Sequence, residues 1–363
     1  MSPPWRSSRR ILTSLVLGAV GLIAAAAIID ALRNSPSPQA SPPEELAETT
    51  DARLPERGVL TGRLVFSRLA GCQPQEMDFE TLSLEAPGRS LECRLWVSPG
   101  GDLAVSAVSP ALGLRGSDNW LLRLGEPPTL LRPLGISRGE PAWSADGERL
   151  AWCTPEEETV VLTLATRARA VVRGCRPVFA PDGSILTRPA RLLAPTLLRN
   201  GRPLLEKDDL LRGFPPGEGP LDLVGYDAHA DGLLAVVAVR FESGRRPRRV
   251  LQLWRGGRLE SAVLLPELNL PAGYGRLGER LEFAPDGREV AVAFPGLGRQ
   301  MMLVDLQTLR VTLEPTLQHG FAWSPDGRWF ALSTGEEVRV LGRDRAEPAY
   351  VLPIGAAAIA WRP

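Results

Sequence analysis

The amino-acid sequence predicts an all-β protein folded as a seven-bladed β-propeller, with six blades as the alternative. Three observations support this prediction. A strand–turn–strand pattern, clearest as FAWSPDGRWFALS at residues 321–333, recurs at about the length of a four-stranded blade. Half of the same pattern stands at each end of the repeat region, as a ring closed by its terminal strands requires. Glycine (36) and proline (34) are frequent, which favours short strands and tight turns.

The centre of the pattern, Ser324-Pro325-Asp326-Gly327, has the residues that a type I turn prefers. Its glycine can adopt the positive φ that closes a bulged hairpin, so the apolar residues on both sides are predicted to form paired strands. The further copies are PAWSADGERLAW at 141–152, PVFAPDGSILTR at 177–188, LEFAPDGREVAVAF at 281–294, the variant LWVSPGGDLAVS at 95–106 and the weaker AHADGLLAVVAV at 228–239.

The spacing of the turns gives the number of blades. The turn glycines are Gly62, Gly101, Gly147, Gly183, Gly232, Gly287 and Gly327, and the six intervals between them average about 44 residues. Residues 359–363 match the first half of the pattern and residues 62–66 match the second half. Pairing of these two segments would complete a seventh blade. Six blades would result if this split copy or the 228–239 copy is not a blade.

The N-terminal region has the character of a membrane anchor. Residues 1–10 carry three arginines and no acid, and residues 11–29 contain no charge over roughly 28 Å of helix. We predict a cytoplasmic tail at 1–10, a transmembrane signal-anchor helix at 11–30, a disordered Pro/Ser-rich linker at 31–58 and a propeller at 59–363 outside the cytoplasm. A cleaved signal peptide is the alternative.

The WSPDG-plus-strand copies resemble the PD40 or TolB-like β-propeller repeat, a relative of WD40 repeats. The resemblance covers nearly all of residues 60–363 and is strongest at 141–188 and 281–334. It implies a ring of blades around a central channel. Members of this family mostly bind proteins, peptides or glycans, or accompany a separate catalytic domain.

The four cysteines occupy equivalent places in the repeats. Cys93 and Cys175 each stand eight residues before a turn glycine, and Cys72 and Cys153 each follow the strand after a turn. A translocated domain meets an oxidising compartment. We therefore expect the disulfides Cys72–Cys93 and Cys153–Cys175, each within one blade, with four buried free thiols as the alternative. The sequence contains no CxxC pair, so a zinc site is disfavoured.

Two sets of residues recur around the ring, and recurrence favours a structural role for both. The turn aspartates are predicted to accept backbone N–H groups, and they are Asp146, Asp182, Asp286 and Asp326. The aromatic residues that precede the turns are predicted to pack between blades, and they are Trp143, Phe179, Phe283, Trp323 and Trp361.

Few residues qualify as catalytic or metal-binding candidates. Asp227, His229 and Asp231 form a D-x-H-x-D pattern that could converge on a cation, although Asp231 also takes the turn position; no metal and no cofactor is predicted. The other histidine, His319, is expected to be structural. The segment 135–139, GISRG, matches a nucleophile elbow, but a propeller strand rather than a helix follows it.

Two surface segments are candidates for recognition. The basic cluster RRPRR at 245–249 is predicted at a hairpin tip, either as a solvated loop or as a contact for anionic lipid or cell-wall polymer. The long insertion at 189–220 is the place where we first expect partner recognition. The net charge of zero argues against a nucleic-acid partner.

The combined prediction is a membrane-anchored, extracytoplasmic, non-catalytic scaffold that binds an envelope protein, a peptide or a glycan. The alternative is a propeller enzyme, a glycan lyase or hydrolase or a peptidase-like protein. Such an enzyme would gather carboxylates or histidines from several blades at the channel mouth. A purely structural accessory of an envelope or secretion complex is a third possibility.

Overall fold

Seven antiparallel sheets of four strands each are found in the described part of the chain. The computed structural model describes residues 55, 59–68, 74–81, 83–85, 95–108, 117–124, 129–137, 139–190, 193–243, 246–267, 280–294, 300–314, 320–334, 336–343 and 348–363. The predicted tail, the predicted transmembrane helix and all but Pro55 of the predicted linker lie outside these ranges. Among the described residues, no helix is long and apolar enough to span a bilayer.

We number the blades in chain order. Blade 1 contains β4 (Leu95–Val97), β5 (Leu103–Val108), β6 (Ser117–Arg123) and β7 (Thr129–Ser137). Blade 2 contains β8 (Ala142–Trp143), β9 (Arg149–Cys153), β10 (Glu158–Thr163) and β11 (Arg169–Arg173). Blade 3 contains β12 (Cys175–Phe179), β13 (Ile185–Arg188), β14 (Leu197–Arg199) and β15 (Arg202–Leu205). Blade 4 contains β16 (Leu221–Ala228), β17 (Leu233–Arg240), β18 (Arg248–Arg255) and β19 (Arg258–Leu264).

The remaining blades follow the same order. Blade 5 contains β20 (Arg280–Phe283), β21 (Glu289–Phe294), β22 (Gln300–Asp305) and β23 (Val311–Glu314). Blade 6 contains β24 (Gly320–Trp323), β25 (Phe330–Ser333), β26 (Val338–Leu341) and β27 (Pro348–Leu352). Blade 7 contains β28 (Ala356–Arg362) together with β1 (Arg63–Arg68), β2 (Pro74–Asp78) and β3 (Ser83–Glu85).

The repeated turn joins the inner strand of a blade to its second strand. In blade 2 the Gly147 N–H donates to the Ser144 carbonyl over 2.8 Å, and the Glu148 N–H donates to Oδ1 of Asp146 over 2.9 Å. Gly147 has a φ of 71°, in the left-handed region that this hairpin requires. The equivalent aspartates accept the same N–H bond, from Ser184 to Asp182, from Arg288 to Asp286 and from Arg328 to Asp326.

The two ends of the repeat region pair with each other, as the split pattern predicts. β28 pairs antiparallel with β1, so that Trp361 stands opposite Leu64 and Ile359 opposite Phe66. Blade 7 therefore combines one strand from the C-terminal end with three from the beginning of the repeat region. Seven blades are confirmed, and the six-bladed alternative is wrong, because both the split copy and the 228–239 copy form complete sheets.

The hydrophobic core is distributed between adjacent blades. One cluster joins blades 4 and 5 through residues such as Val237 and Val292, and others join blades 1 with 2, 3 with 4, and 5 with 6. The aromatic residues before the turns contribute to these contacts: the Trp143 Nε1–H donates to the Trp96 carbonyl of blade 1 over 3.0 Å. Each blade thus buries its faces against its neighbours, and no single layer holds the core.

The Cys153–Cys175 disulfide is confirmed. The prediction that it lies within one blade is wrong, because Cys153 ends β9 of blade 2 and Cys175 begins β12, the inner strand of blade 3. The bond spans 22 residues along the chain, and closing a loop of that length stabilises by roughly 3 kcal/mol in the chain-entropy model. The predicted partners Cys72 and Cys93 lie outside the described residues.

The insertion at 189–220 supplies the two outer strands of blade 3 and packs against the ring. It contains β14, β15 and the short helix α1 (Lys207–Leu211). Leu210 is fully buried in the cluster between blades 3 and 4, and the buried Arg240 of β17 donates to the Pro215 carbonyl over 2.9 Å. The insertion therefore helps to fill the junction of these two blades. Partner recognition at the insertion stays a prediction.

We expect Trp361→Ala to lower the free energy of unfolding by roughly 3–5 kcal/mol, because the indole is nearly buried where the ring closes. Its ring centroid lies 5.1 Å from that of Phe79, and its Nε1–H donates to the Thr61 carbonyl over 3.0 Å. Chemical denaturation of the full-length protein measures the effect. The control Val171→Ala, on an outer strand and 60% exposed, should change stability by less than about 0.5 kcal/mol. Equal losses would contradict the closure argument.

Candidate functional site

Five charged residues lie on, or just before, the innermost strands of blades 2 to 5. We call them the central cluster, and they are Glu140, Arg176, Asp227, Arg280 and Glu282. They occupy the first or third position before the aromatic position of their repeat, where blade 6 has Ala322 and Gly320. Small residues at these positions in one blade and long charged ones in others leave the centre asymmetric in both volume and charge.

Arg176 has an unusual backbone for an arginine. Its φ is 56°, in the left-handed region, where a residue other than glycine costs roughly 1–2 kcal/mol. A β-bulge in β12 between Cys175 and Val178 creates this conformation. The Cys175 disulfide fixes one side of the bulge, and the Tyr226 hydroxyl of blade 4 lies within hydrogen-bonding distance of the Cys175 and Arg176 carbonyls. The bulge is therefore held from both neighbouring blades.

The side chain of Arg176 points to a second bulge, in β16 between Leu223 and Gly225. Its Nη1–H donates to the Val224 carbonyl over 2.9 Å. Among the described residues, no carboxylate forms an ion pair with Arg176. Burial lowers the pKa of this guanidinium from its usual value, and the charge of Arg188 lowers it further. Arg176 is thus a largely buried cation without a counter-ion in direct contact.

Arg188 differs from Arg176 because it is paired. Its Nη2 lies 3.5 Å from Oδ1 of Asp222, and both side chains are buried. Its Nη1 donates to the Leu223 carbonyl, and its Nε donates to the Pro189 carbonyl over 3.4 Å. Its charge is balanced within the junction of blades 3 and 4, so its role is structural and it repels Arg176.

Arg280 and Glu282 form an ion pair on the inner strand of blade 5, with 2.7 Å between Nη2 and Oε2. The Arg280 guanidinium carbon lies 4.5 Å from the ring centroid of Phe321 in blade 6, a cation–π contact. The two side chains keep 41% and 32% of their surface exposed although protein surrounds them. The centre of the ring is therefore accessible to solvent at this level.

Asp227 is a carboxyl whose pKa is changed by burial. Oδ2 accepts the Phe283 N–H of blade 5 over 2.9 Å, and Oδ1 accepts the Ala228 N–H over 2.9 Å. Burial raises its pKa to about 7 despite these two donors, and the charge of Glu282 adds to the effect. Burial also raises the pKa of Glu282, partly offset by Arg280. Both carboxyls therefore hold protons more tightly than exposed ones.

Glu140 interacts electrostatically with charged residues of two other blades. It precedes the inner strand of blade 2 and is exposed, yet its charge acts on Arg176 of blade 3 and on Arg280 and Glu282 of blade 5. For Arg280, burial would lower the pKa, but Glu282, Glu140 and Asp227 together raise it above its usual value.

The central cluster has the chemistry of a binding site for a polar, charged group. Guanidinium groups only donate hydrogen bonds, and ionised carboxylates only accept them. Two arginines and three carboxyls on successive blades therefore offer both kinds of partner. The carboxyl of Asp227 is already used by two backbone N–H groups. Arg176 and Glu140, which have no ion pair among the described residues, keep capacity for a ligand.

The D-x-H-x-D pattern does not assemble into a metal site. His229 Nδ1 lies 2.9 Å from Oδ1 of Asp231, and Nε2 faces the Pro285 carbonyl of the next blade at 3.3 Å. Asp231 also contacts Arg255, and its carboxylate accepts the Leu233 N–H. Burial alone would raise the pKa of Asp231, but these donors hold it well below its usual value. The described residues contain no cluster suited to a metal ion.

The other sequence candidates lie apart from the central cluster. Ser137 of the GISRG segment is buried on the outer strand of blade 1, where its hydroxyl contacts the Asn119 amide. In the basic cluster, Arg249 is buried on β18 against the Phe294 ring of blade 5, and Arg248 lies 3.4 Å from Glu242. The prediction of a hairpin-tip loop is therefore wrong for these two arginines. His319 lies outside the described residues.

Sequence analysis did not identify Glu140, Arg176, Arg280 or Glu282 as site residues. A signal was present, because each stands one or three positions before the aromatic position of its repeat. Aligning the repeats by their turns shows charges where blade 6 has glycine and alanine. The pattern alone could not show that these charges meet, since they are up to 142 residues apart in the chain.

No family model and no curated protein matches the sequence. Solved structures share the fold. A protein assigned as a 6-phosphogluconolactonase from Bacteroides fragilis aligns with a TM-score of 0.52 at 11% identity, covering 84% of this chain and 99% of that one. The Swd1 β-propeller domain of Myceliophteria thermophila aligns with a TM-score of 0.50 at 13% identity, covering 75% and 89%. At such identities the similarity shows a β-propeller and nothing about its ligand. The PD40 assignment stays a prediction.

We expect the stability of the wild-type protein to fall relative to Asp227→Asn as the pH rises. Below about pH 4 the Asp227 carboxyl is protonated in both the folded and the unfolded protein. Between about pH 4 and pH 7 it ionises only in the unfolded chain, and this favours unfolding. The difference should grow by at most roughly 1.4 kcal/mol per pH unit over this window. Denaturation at about pH 5 and pH 7 measures it.

The control for this titration is Asp208→Asn, which changes an exposed carboxyl on helix α1. Its stability profile should run parallel to that of the wild type. Parallel profiles for wild type and Asp227→Asn would contradict the raised pKa.

Proposed function

We propose that this protein is a membrane-anchored, extracytoplasmic β-propeller that binds a segment of another envelope protein at the central cluster without catalysis. The observation that carries the proposal is the central cluster itself. It collects opposite charges from four blades in a solvent-accessible space, and two of its members, Arg176 and Glu140, have no ion-pair partner among the described residues. A glycan ligand was the other expectation from the sequence and becomes an outcome of the experiments.

The strain at Arg176 supports a binding role. Left-handed backbone at a residue other than glycine persists only where its surroundings impose it, and such residues are concentrated at functional sites. Here a disulfide, a bulge and the Tyr226 hydroxyl all hold one arginine. An arginine that only increased the solubility of the protein would not need these restraints. Three restraints on one strained residue favour a guanidinium that has to be held in one position.

Two features support the proposed location. The apolar, uncharged segment 11–29 follows a basic tail, which favours an anchored protein with its C-terminal part translocated. The Cys153–Cys175 disulfide suits an oxidising compartment outside the cytoplasm. On this proposal residues 1–10 are cytoplasmic, 11–30 span the membrane, 31–58 form the linker and 59–363 form the propeller.

An enzyme is the second candidate, and one observation favours it. The pKa of Asp227, raised to about 7, is suited to general acid–base catalysis. Against it, both oxygens of Asp227 are engaged by backbone N–H groups. A screen of glycan and peptide substrates separates the two candidates: turnover by the wild type that is lost in Asp227→Asn would favour the enzyme.

The test of the binding function is capture of a partner by the full-length, detergent-solubilised protein carrying a C-terminal affinity tag. We expect Arg280→Gln to reduce recovery of the partner by roughly tenfold, because truncation of a central anchor residue dominates binding energy. Quantitative mass spectrometry of the captured proteins measures recovery.

The matched control is Arg258→Gln, which removes the same charge from an exposed position on the outer strand of blade 4. It should recover as much partner as the wild type. Capture of no partner, or equal recovery by the wild type and Arg280→Gln, would count against binding at the central cluster.

The location is tested by reporters fused after Pro363. Alkaline phosphatase, which needs an oxidising compartment, should be active in intact cells, and a reporter that works only in the cytoplasm should be silent. Removal of residues 1–30 should reverse both results, because the predicted anchor directs translocation. An active cytoplasmic reporter on the full-length chain would overturn the proposed orientation.

A further inference from the structure

The hydrogen-bonding state of Arg176 indicates what kind of group it receives. Only Nη1 of this guanidinium has a protein partner among the described residues, the Val224 carbonyl. A guanidinium carries five N–H donors, so most of them remain for a ligand. Three nearby carbonyls already have partners: those of Cys175 and Arg176 lie against the Tyr226 hydroxyl, and that of Leu223 accepts from Arg188.

An anion with several acceptor atoms suits the remaining donors of Arg176. A planar carboxylate accepts two parallel N–H bonds from one guanidinium, the geometry in which charge-assisted bonds are strongest. Arg280 of blade 5 is a second cation of the central cluster. It already has Glu282 as a partner, yet 41% of its side-chain surface is accessible. Arg280 thus keeps exposed surface beyond its ion pair with Glu282.

The nearby carboxylate charge favours an anion with a single negative charge. Glu140 acts electrostatically on both Arg176 and Arg280, and its repulsion disfavours a phosphate dianion or a polyanion. The same carboxyls are acceptors for N–H donors. A ligand that presents one carboxylate with N–H groups close behind it supplies an acceptor for the arginines and donors for the carboxylates.

Arg176 lies on an inner strand, so a ligand reaches it from the axis of the ring. A chain terminus can enter the ring along its axis. A side chain in the middle of a folded segment could reach Arg176 only if the whole segment entered the ring. A peptide terminus carries the α-carboxylate at its end and backbone N–H groups immediately before it. A uronic acid presents a carboxylate together with hydroxyl groups. Because hydroxyls both donate and accept hydrogen bonds, they match the carboxylates of the cluster, which only accept, less specifically than N–H groups do.

We propose that the central cluster binds the C-terminal α-carboxylate of a peptide or protein chain, with Arg176 as the primary contact and Arg280 as the second. This inference rests on the proposed function and names its ligand chemistry. Glu140 and Glu282 accept the N–H groups of the last residues of the ligand. The disulfide of Cys175 and the Tyr226 hydroxyl fix the Arg176 bulge, so the guanidinium meets the carboxylate in one orientation.

The experiment uses the full-length, detergent-solubilised protein on a support. The probes are a fluorescent mixture of short randomised peptides with a free α-carboxylate, the same mixture with a C-terminal amide, and an oligogalacturonate. We expect the free-carboxylate mixture to be retained roughly ten- to a hundredfold more strongly than the amidated one, since charge-assisted hydrogen bonds are lost in the amide. Fluorescence of the eluted fraction measures retention.

The variant Arg176→Gln removes the charge and keeps an amide that can donate to the Val224 carbonyl. It should lower retention of the free-carboxylate peptides to that of the amidated mixture. The control Arg202→Gln, on the exposed outer strand of the same blade, should retain as much as the wild type. If Arg176→Gln does not fold, as judged by circular dichroism, the comparison of free and amidated peptides on the wild type decides alone.

The outcomes separate this inference from the proposed function. Equal retention of free and amidated peptides, or retention of oligogalacturonate in place of peptides, overturns the α-carboxylate assignment. If partner capture succeeds while the free-carboxylate peptides are not retained, the inference fails and the binding function stands. If neither a partner nor any probe is retained, both fail.

Discussion

The structure depends on the pairing of β28 with β1. This one ladder joins the end of the chain to the beginning of the repeat region and converts an array of sheets into a closed ring. Each blade buries both faces against its neighbours, so an open array would expose the two outermost faces and two unpaired inner edges. Trp361 and Phe79 pack at this junction. Closure therefore sets the position of every inner strand, including the four that carry the central cluster.

Closure also determines which residues meet. Inner strands of a ring converge on one axis, so positions that are equivalent in the repeats become neighbours in space. Blade 6 has the small residues Gly320 and Ala322 at these positions. Blades 2 to 5 place Glu140, Arg176, Asp227, Arg280 and Glu282 there, and the cluster gathers in the half of the ring that these blades occupy.

The environment of Arg176 shows how the ring accommodates a buried cation. Two bulges, in β12 and β16, turn carbonyl oxygens toward the Arg176 and Arg188 guanidiniums. Asp222 balances Arg188, but no described carboxylate is paired with Arg176. The disulfide holds the neighbouring residue between blades 2 and 3. A guanidinium with free donors, held in a fixed position, is a group prepared for an external anion, and this is the physical basis of the proposed ligand.

The sequence by itself determined the local structure and the number of blades. The turn Ser324-Pro325-Asp326-Gly327 and its copies specify hairpins through short-range hydrogen bonds and positive φ, and the split copy specifies closure. It also identified Cys153 and Cys175 as partners. Only the tertiary structure decided that this disulfide joins two blades, that Arg249 is buried, and that the D-x-H-x-D residues have separate partners. Charges far apart in the chain meet only when the ring closes, because their positions depend on contacts between blades that no local pattern encodes.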